Sequence, residues 1–503
     1  ARALELGASI EQGGALLATW SWDPSAFSDA DVAALAERWS IVVHALVGLA
    51  DRRELGGLTP SDLALVSLRQ SELDALERSY PGLRDVLPLA PLQQGLLLYC
   101  AANQTDADPY QGQTVLVIEG PLDPDRLRAA GRGLLRRHPN LGAAFVYEGV
   151  EAPVAVIVDE VELPWAFHDL TALAPAAQER ALAELLAADT AQRFELARPP
   201  MVRFHLIQRA AQRFELVVSD HHILLDGWSM PILWDELFAM YRAGEHALPP
   251  AAPYRDYLRW LQAQDREAAG AAWRAYLAGL PGPTRVSPLG LAPHAVPLVT
   301  ETTLSQVLSA AVVRQAGRLG LTLNSLLQTA WGLLLVELTG TRDVVFGTTV
   351  SERPAEVEGV ESMVGLFINT VPLRVTAPVG QPLAAVLARV QAAQLELLPH
   401  RHLSLTEIQR KVGLGELFDT YYVFQNYPEA TGALGGTAEL KVTEKTLGAS
   451  GVSHYPLGLT VIPGERITLL FGYHPHLYAP ERMEAITRQL TDLIRLLASE
   501  ASS

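Results

Sequence analysis

The stretch Arg213-Phe-Glu-Leu-Val-Val-Ser-Asp-His-His-Ile-Leu-Leu-Asp-Gly-Trp-Ser229 decides the fold. Its first part, up to Asp220, contains Phe214 and the apolar run Leu216-Val-Val218 and no proline or glycine, which predicts a buried strand. His221 and His222 follow at once, and the chain then turns into an amphipathic helical pattern. The histidines are therefore expected where a strand ends, a position that faces clefts and is held by the sheet.

His222 is the catalytic candidate of this stretch. A histidine with a pKa near neutrality can accept a proton from an amine or hold the amine for attack. Asp226 is expected to fix the loop through a buried ion pair, and Gly227 to supply a backbone angle that other residues resist. His221 supports the motif but is as readily a core histidine, and Trp228 is expected to pack and shape the turn.

Two other kinds of site fit the stretch poorly. Adjacent histidines on a strand point to opposite sides, no third ligand stands nearby, and Cys100 is the only cysteine, so no metal site is predicted. A Ser-His-Asp hydrolase would need a Gly-x-Ser-x-Gly elbow, and none follows a predicted strand.

Composition sets the broad class. At 503 residues, with 49% hydrophobic and 19% charged residues, the chain is expected to fold into two or more packed lobes. The formal charge of −17 argues against nucleic acid or an anionic membrane as a partner, and the lone cysteine fits a cytoplasmic protein. Predicted helices such as 123–138 and 322–338 alternate with strands such as 115–118 and 344–350, which indicates an α/β fold.

The two ends of the chain resemble each other. A strand, a proline turn and an amphipathic helix occur near both termini, and Trp22 and Pro24 correspond to Tyr473 and Pro475 at a constant separation of 451 positions (473 − 22, 475 − 24). We therefore predict that residues 1–52 are the tail of one domain. The turn-rich residues 53–84 are then a linker, and a related domain follows it. Prolines around 280–298 suggest a crossover between two lobes, 85–285 and 286–503.

Beyond the two-histidine motif, six ordered segments resemble signatures of the condensation domains of nonribosomal peptide synthetases. They are Leu87–Gly95, Arg137–Leu141, Tyr254–Asp265, Val345–Thr370, His400–Gln409 and Leu417–Pro428. The resemblance covers residues 85–500. It implies two chloramphenicol-acetyltransferase-like lobes that form a V-shaped pseudo-dimer with a central tunnel.

The resemblance also implies a reaction. Upstream (donor) and downstream (acceptor) peptidyl carrier domains insert phosphopantetheine arms, and the acceptor amine attacks the donor thioester near His222. No tightly bound cofactor is expected, and the neighbours are adenylation and epimerization domains of a larger synthetase that makes an antibiotic or siderophore. Asp226 is structural in relatives, with Arg137 as the expected partner, and Gly142, Ser351 and Asn369 are candidates for the substrate channel.

Finer features suggest a subclass. The segments Pro88–Gly95 and Asp226–Leu233 resemble domains that take a D-configured donor and an L-configured acceptor. The segments Gly56–Asp62 and Ser67–Leu73 resemble the end of an epimerization domain and its linker, which agrees with a D-configured donor.

The chain also departs from the family at two positions. Gly142 stands where relatives usually have arginine, which either opens the substrate channel or reflects a tolerant, solvent-facing position. Glu352 stands where relatives often have glycine before Arg353-Pro354. Two alternative functions remain open, namely an ester-forming acyltransferase of the same superfamily and a non-catalytic recruitment module.

Overall fold

The computed structural model describes residues 3–10, 15–50, 57–103, 108–287, 297–426, 440–445 and 453–499, without the side chains of residues 49 and 50. The chain divides into two compact units, Ala1–Ala64 with Leu68–Arg78 and Leu65–Ser67 with Ser79–Ser503. Within the described ranges no single helix is long and apolar enough to cross a membrane, although the bent pair Gln306–Arg318 and Leu323–Thr339 passes that test together.

The first unit contains a hairpin and two helices. Strands β1 (Leu4–Ile10) and β2 (Leu16–Trp22) pair antiparallel, and helices α1 (Asp29–Ala50) and α2 (Gln70–Ser79) follow. Ser28 and Asp31 exchange hydrogen bonds between side chain and backbone, a reciprocal cap that explains why α1 begins here.

In the second unit, the N-terminal half contains two sheets. A five-stranded sheet has the order β14-β4-β9-β8-β7 and a three-stranded sheet the order β3-β6-β5. The strands are β3 (Leu83–Pro88), β4 (Gln111–Glu119), β5 (Ala143–Val146), β6 (Val154–Val158), β7 (Trp165–Asp169), β8 (Val202–Ala210) and β9 (Arg213–His221). The helices are α3 (Pro91–Ala102), α4 (Pro124–Arg137), α5 (Pro175–Ala191), α6 (Ser229–Ala243), α7 (Tyr254–Gln262) and α8 (Arg266–Leu277).

The C-terminal half contributes a six-stranded sheet of order β10-β16-β15-β13-β11-β12. Its strands are β10 (Leu298–Thr303), β11 (Asp343–Ser351), β12 (Ile368–Thr376), β13 (Thr420–Phe424), β15 (Leu457–Ile462) and β16 (Thr468–Tyr473), while β14 (Lys441–Lys445) pairs with β4 of the other sheet. The helices are α9 (Gln306–Arg318), α10 (Leu323–Thr339), α11 (Leu383–Glu396), α12 (Leu405–Val412) and α13 (Pro480–Ser499). The mixed α/β fold is as predicted.

The predicted repeat between the two ends is present in the structure. A hairpin followed by a helix occurs as β1-β2-α1 and again as β15-β16-α13, and Asp29 and Pro480, the first residues of the two helices, are 451 positions apart (480 − 29). In α13 the apolar face is buried, for example at Ile486 and Ile494. The corresponding face of α1 is more open, with Leu35 41% and Leu46 59% exposed.

Two connections tie the halves of the second unit together. Residues 352–367, which we call the crossing segment, follow β11 and place apolar residues such as Val360, Met363 and Phe367 in the core of the N-terminal half. Strand β14 joins the N-terminal sheet. The predicted limit near residue 285 thus separates the sequence into halves but does not separate their sheets and cores. Of the predicted crossover at 280–298, residues 288–296 lie outside the described residues.

Candidate active site

Both motif histidines are held by the backbone of neighbouring strands. β9 lies between β4 and β8, and His221 is its last residue. The amide of His221 donates to the carbonyl of Met201 at 3.1 Å, and the amide of His222 donates to that of Tyr110 at 2.8 Å. The chain then turns, and α6 begins at Ser229. The motif loop, residues 221–228, therefore starts at the rigid end of a central strand, as predicted.

His221 is a core residue. Its side chain is fully buried, its Nδ1 accepts a hydrogen bond from the amide of Ile223 at 3.1 Å, and its Nε2 donates to Asp108 Oδ2 at 3.3 Å. Burial raises the pKa of Asp108, but His221, the amide of Tyr110 and the guanidinium of Arg193 lower it to about 2. His221 thus anchors the end of β9 to a carboxylate that is ionised at neutral pH.

The surroundings of His221 have the spacing of a metal site. His221 Nε2, Asp108 Oδ2 and Cys100 Sγ lie 3.3–3.7 Å apart, so the sequence argument that no third ligand is nearby was wrong. Two contacts oppose a metal ion. The amide of Ile223 occupies the Nδ1 lone pair, which leaves the ring proton on Nε2, and Arg193 Nη2 lies 3.3 Å from Asp108 Oδ2. That these three residues hold no metal ion stays a prediction.

The two ring nitrogens of His222 have different surroundings. Its Nδ1 donates to the carbonyl of Leu225 at 2.9 Å, which places the lone pair of the neutral ring on Nε2. No described residue hydrogen-bonds to Nε2. Burial lowers the pKa of His222 below its ordinary value of 6.5, only partly offset by Leu225 and Asp226. The ring is therefore neutral near pH 7 and can accept a proton or hydrogen bond from a substrate amine.

Asp226 fastens the motif loop to the crossing segment. Its carboxylate is buried and accepts hydrogen bonds from the amide and hydroxyl of Ser229, at 3.0 and 2.8 Å, and from the amide of Phe367, at 3.1 Å. Its own amide donates to the carbonyl of Gly365 at 3.1 Å. With its carboxylate fully used by the protein, Asp226 acts on the shape of the loop, as expected from its place in the motif.

The partner of Asp226 is Arg353, and the prediction of Arg137 was wrong. Arg353 Nη2 lies 3.3 Å from Asp226 Oδ1, whereas Arg137 Nε lies 3.0 Å from Glu236 Oε1. Arg137 is the last residue of α4, and α4 packs on α6, which carries Glu236, so its guanidinium meets that glutamate instead.

Arg353 has further contacts that hold it in place. Its guanidinium donates to the carbonyls of Val360 and Met363, and it stacks on the ring of Phe367 at 3.9 Å. All three partners lie in the crossing segment. A single arginine therefore satisfies backbone carbonyls of that segment and the carboxylate of the motif loop.

Comparison with known proteins decides the family. The profile of the condensation domain matches residues 83–503. The chain belongs to the condensation-domain family. It is 33% identical to one of the linear gramicidin synthase subunits of Brevibacillus parabrevis over 97% of its length, and 32% identical to bacitracin synthase 3 of Bacillus licheniformis over 94%. These alignments span only 6% and 8% of the two synthetases.

Solved condensation domains share the fold. A mutant of the starter condensation domain of rhizomide synthetase RzmA, in complex with C8-CoA, superimposes with a TM-score of 0.70 at 21% identity, covering 86% of this chain and 98% of that one. The X-domain from teicoplanin biosynthesis gives a TM-score of 0.70 at 22% identity, covering 83% and 96%. The predicted chloramphenicol-acetyltransferase-like fold is confirmed, and family membership makes this domain an amide-forming acyltransferase.

Trp228 and Gly227 of the motif loop differ in whether the structure matches their expected roles. Trp228 shapes the turn as expected, because its Nε1 donates to the carbonyl of Glu361 at 3.1 Å and Arg353 lies 5.5 Å from its ring centre. The expectation for Gly227 was wrong, since its φ is not among the positive values that glycines of this chain adopt. The turn at Gly227 closes without a left-handed residue.

Of the channel candidates, Ser351 and Asn369 lie on the paired strands β11 and β12, whereas Gly142 precedes β5. Gly142 is buried, and a Cβ there would lie 2.8 Å from Val161 Cγ2, so the position is not solvent-facing. Asn369 is 2% exposed and donates to the carbonyls of Arg401 and Leu403 at 2.7 Å, which makes it a tie between two backbone segments. The channel role of both residues stays a prediction. Ser351 is exposed at the end of β11, where its role stays a prediction.

Three residues beside the motif were missed from the sequence. Asp108 holds His221, the carbonyl of Tyr110 holds His222, and Arg353 holds Asp226. Tyr110 also reaches across to the C-terminal half, where its hydroxyl hydrogen-bonds to His454 Nδ1. The only available signal was for Arg353, which stands beside Pro354 in one of the family signatures.

Proposed function

We propose that this domain forms a peptide bond between a D-configured aminoacyl or peptidyl thioester and the amine of an acceptor aminoacyl thioester. Each substrate is carried on the phosphopantetheine arm of a carrier domain. The observation that carries the proposal is His222, whose neutral ring keeps Nε2 free of the protein network while Nδ1 is bound to Leu225.

Every bond and proton of the proposed reaction is accounted for with few groups of the protein. The acceptor nitrogen attacks the donor carbonyl, a C–N bond forms, and the C–S bond breaks to release a thiol. The nitrogen loses one proton, which the departing sulfur gains, and His222 Nε2 is the group that can hold the amine or pass this proton. We favour positioning and charge stabilisation as its main role, because a thioester is already reactive and alignment of two tethered substrates supplies much of the rate.

Rigid support of the loop favours the proposal. His221, His222 and Asp226 are each fixed by a contact from another element, namely Asp108, the Tyr110 carbonyl and Arg353. A catalytic group gains from such support because small displacements of reacting atoms are costly. The intact network also disfavours a recruitment module, which would not need it.

The organisation of the chain supports a D-configured donor. We propose that residues 1–52 are the tail of a preceding epimerization-like domain and residues 53–84 a linker, with the lobes 85–285 and 286–503 enclosing the substrate channel. The hairpin and helix shared by the two ends support the first part. We further propose upstream and downstream carrier domains and adjacent adenylation and epimerization domains as partners, in a cytoplasmic synthetase.

The test is a condensation assay with defined substrates. Carrier domains loaded with D- or L-configured peptidyl donors are mixed with a loaded acceptor carrier, and the products are followed by mass spectrometry. We expect amide product that forms faster from the D donor and is lost in His222→Ala but kept in His246→Ala, a matched change at an exposed histidine. Preference for an L donor would overturn the subclass, and product only with an alcohol acceptor would favour the ester-forming alternative.

A further inference from the structure

Glu352 is a buried acidic residue that the motif network does not use. It follows β11 directly, and its amide donates to the carbonyl of Phe367 at 2.7 Å. The residue is only 9% exposed, and its Oε2 has no hydrogen-bond partner among the described residues. A buried polar atom without a hydrogen-bond partner lowers stability by about 1–3 kcal/mol. Such an atom is therefore a candidate for binding a ligand or for another function.

The charged neighbours leave this oxygen available. Arg353, the next residue, is directed to Asp226, and Arg401 donates to the carbonyl of Gln394. Arg401 attracts Glu352, yet the described part of the chain shows no ion pair between them within 4.0 Å. Tyr257 of α7 is the other titratable group beside it. Burial raises the pKa of Glu352 to about 8, and Arg401 lowers it only in part.

Glu352 also lies next to the motif loop. The carbonyl of Phe367 accepts from Glu352, and the amide of the same residue donates to Asp226 Oδ2 at 3.1 Å. One residue of the crossing segment therefore separates Glu352 from the network that shapes the loop of His222. The backbone of Glu352 is thus two hydrogen bonds away from the carboxylate of Asp226.

We infer that Glu352 forms a subsite for a side-chain ammonium group on one of the two condensing substrates. An ammonium donates hydrogen bonds and carries the charge that an ionised carboxylate lacks. At hydrogen-bond distance from Oε2 it would be closer to the carboxylate than Arg401 is, so its attraction to the ionised carboxylate would be stronger than that of Arg401. The inference rests on the proposed condensation function, because it assigns a substrate to that site.

The experiment compares substrates that differ only by this group. N-acetylcysteamine thioesters of lysine and norleucine serve as acceptors with a fixed donor in one arm. In the other arm, the α-N-acetylated forms serve as donors with a fixed acceptor. The wild-type protein is expected to prefer the lysyl over the norleucyl thioester in one arm, by about tenfold in kcat/KM. Glu352→Gln should abolish this preference while leaving the norleucyl reaction within about twofold.

The pH dependence gives a second readout. Ionisation of Glu352 strengthens the subsite, so the wild-type preference should increase from pH 7 to pH 9, through a midpoint set by the pKa of about 8. The preference in Glu352→Gln should not change over this range. Glu358→Gln, at an exposed position of the same segment, is the matched control and should behave as the wild type.

The outcomes separate the inference from the proposed function. Equal rates for lysyl and norleucyl substrates in both arms, or an equal loss of both in Glu352→Gln, overturn the subsite while the norleucyl product still supports condensation. If Glu352→Gln does not fold, Glu352→Gly takes its place. Failure of both variants to fold would assign Glu352 to stability and also overturn the inference.

Discussion

Arg353 Nη2 lies 3.3 Å from Asp226 Oδ1, although 127 residues separate the two side chains in the sequence. The exposed fractions of the side chains are 6% and 0%, so the ion pair is shielded from water and salt. It joins the loop that carries His222 to the crossing segment of the other half. The geometry of the catalytic loop therefore depends on a residue supplied from far along the chain.

Breaking this pair should destabilise the domain strongly. We expect Asp226→Ala or Arg353→Ala to lower the free energy of unfolding by about 3–5 kcal/mol, because each leaves a buried charge without its partner. Urea unfolding followed by tryptophan fluorescence measures this loss. In a double-mutant cycle Asp226 should couple to Arg353 but not to Arg137, whose partner is Glu236. Coupling of Asp226 to Arg137 instead would contradict the observed pairing.

Removal of the His222 ring should affect activity and leave the fold intact. His222→Ala is expected to reduce kcat/KM for condensation by about 10²–10⁴-fold, the usual range for a group that transfers or holds the proton. The unfolding midpoint should stay close to that of the wild type, because the side chain makes one hydrogen bond, to Leu225. A soluble, fully active variant would rule out His222 as the centre of the site.

The pH dependence of activity should show the lowered pKa of His222. Its pKa in the folded protein is below 6.5, so the neutral ring persists to lower pH than in a free histidine. The acidic limb of kcat/KM should therefore lie below pH 6.5. The contribution of the neutral ring to stability is present above that value and is lost as the pH falls through the folded pKa. An acidic limb above pH 6.5 would contradict this environment.

The contribution of Asp108 to the stability of the fold should depend on pH in the acidic range. Its pKa of about 2 is below the ordinary value of 3.8, so its contribution is complete at higher pH and is lost as the pH falls from about 4 to 2. Asp108→Asn should lower the free energy of unfolding at pH 7 by about 1–3 kcal/mol and remove this acid-sensitive part. The measurement is unfolding at pH 7, 4 and 3. An unchanged pH dependence in the variant would show that His221 is held by other groups.

Replacing Gly142 by a larger residue should destabilise the domain. A Cβ at Gly142 would lie 2.8 Å from Val161 Cγ2, so Gly142→Ala and Gly142→Arg should each lower the free energy of unfolding by about 1–3 kcal/mol. Trimming the neighbour, in Val161→Ala combined with Gly142→Ala, should recover part of this loss. A Gly142→Ala variant as stable as the wild type would mean that this contact yields easily.

The motif residues differ in how far the sequence could predict them. His222 and the strand before it were predictable because strand, turn and helix patterns are local and follow each other within 17 residues, 213–229. The role of Asp226 was predictable as a buried pair, but its partner was not. Arg137 and Arg353 are both plausible by charge, and only the packing of α4 on α6 directs Arg137 to Glu236.

The same limit explains the other corrections. Cys100 of α3 and Asp108, between α3 and β4, contact His221 from more than 100 positions away in the sequence, so a search for nearby ligands could not find them. The alternative that Gly142 is solvent-facing was wrong, because a glycine in a turn gives no sign of what packs against it. The contact with Val161 appears only when β5 and the segment before β7 come together.

By itself, the sequence determined the family, the α/β fold, the position of His222 at a strand end and the repeat between the two ends, since all of these follow from local periodicity and ordered motifs. The tertiary structure alone decided which groups hold the motif, namely Asp108 for His221, Tyr110 for His222 and Arg353 for Asp226. It alone showed that Oε2 of Glu352 is buried without a hydrogen-bond partner among the described residues. Contacts between distant residues depend on how sheets and helices pack, and no spacing along the chain encodes that packing directly.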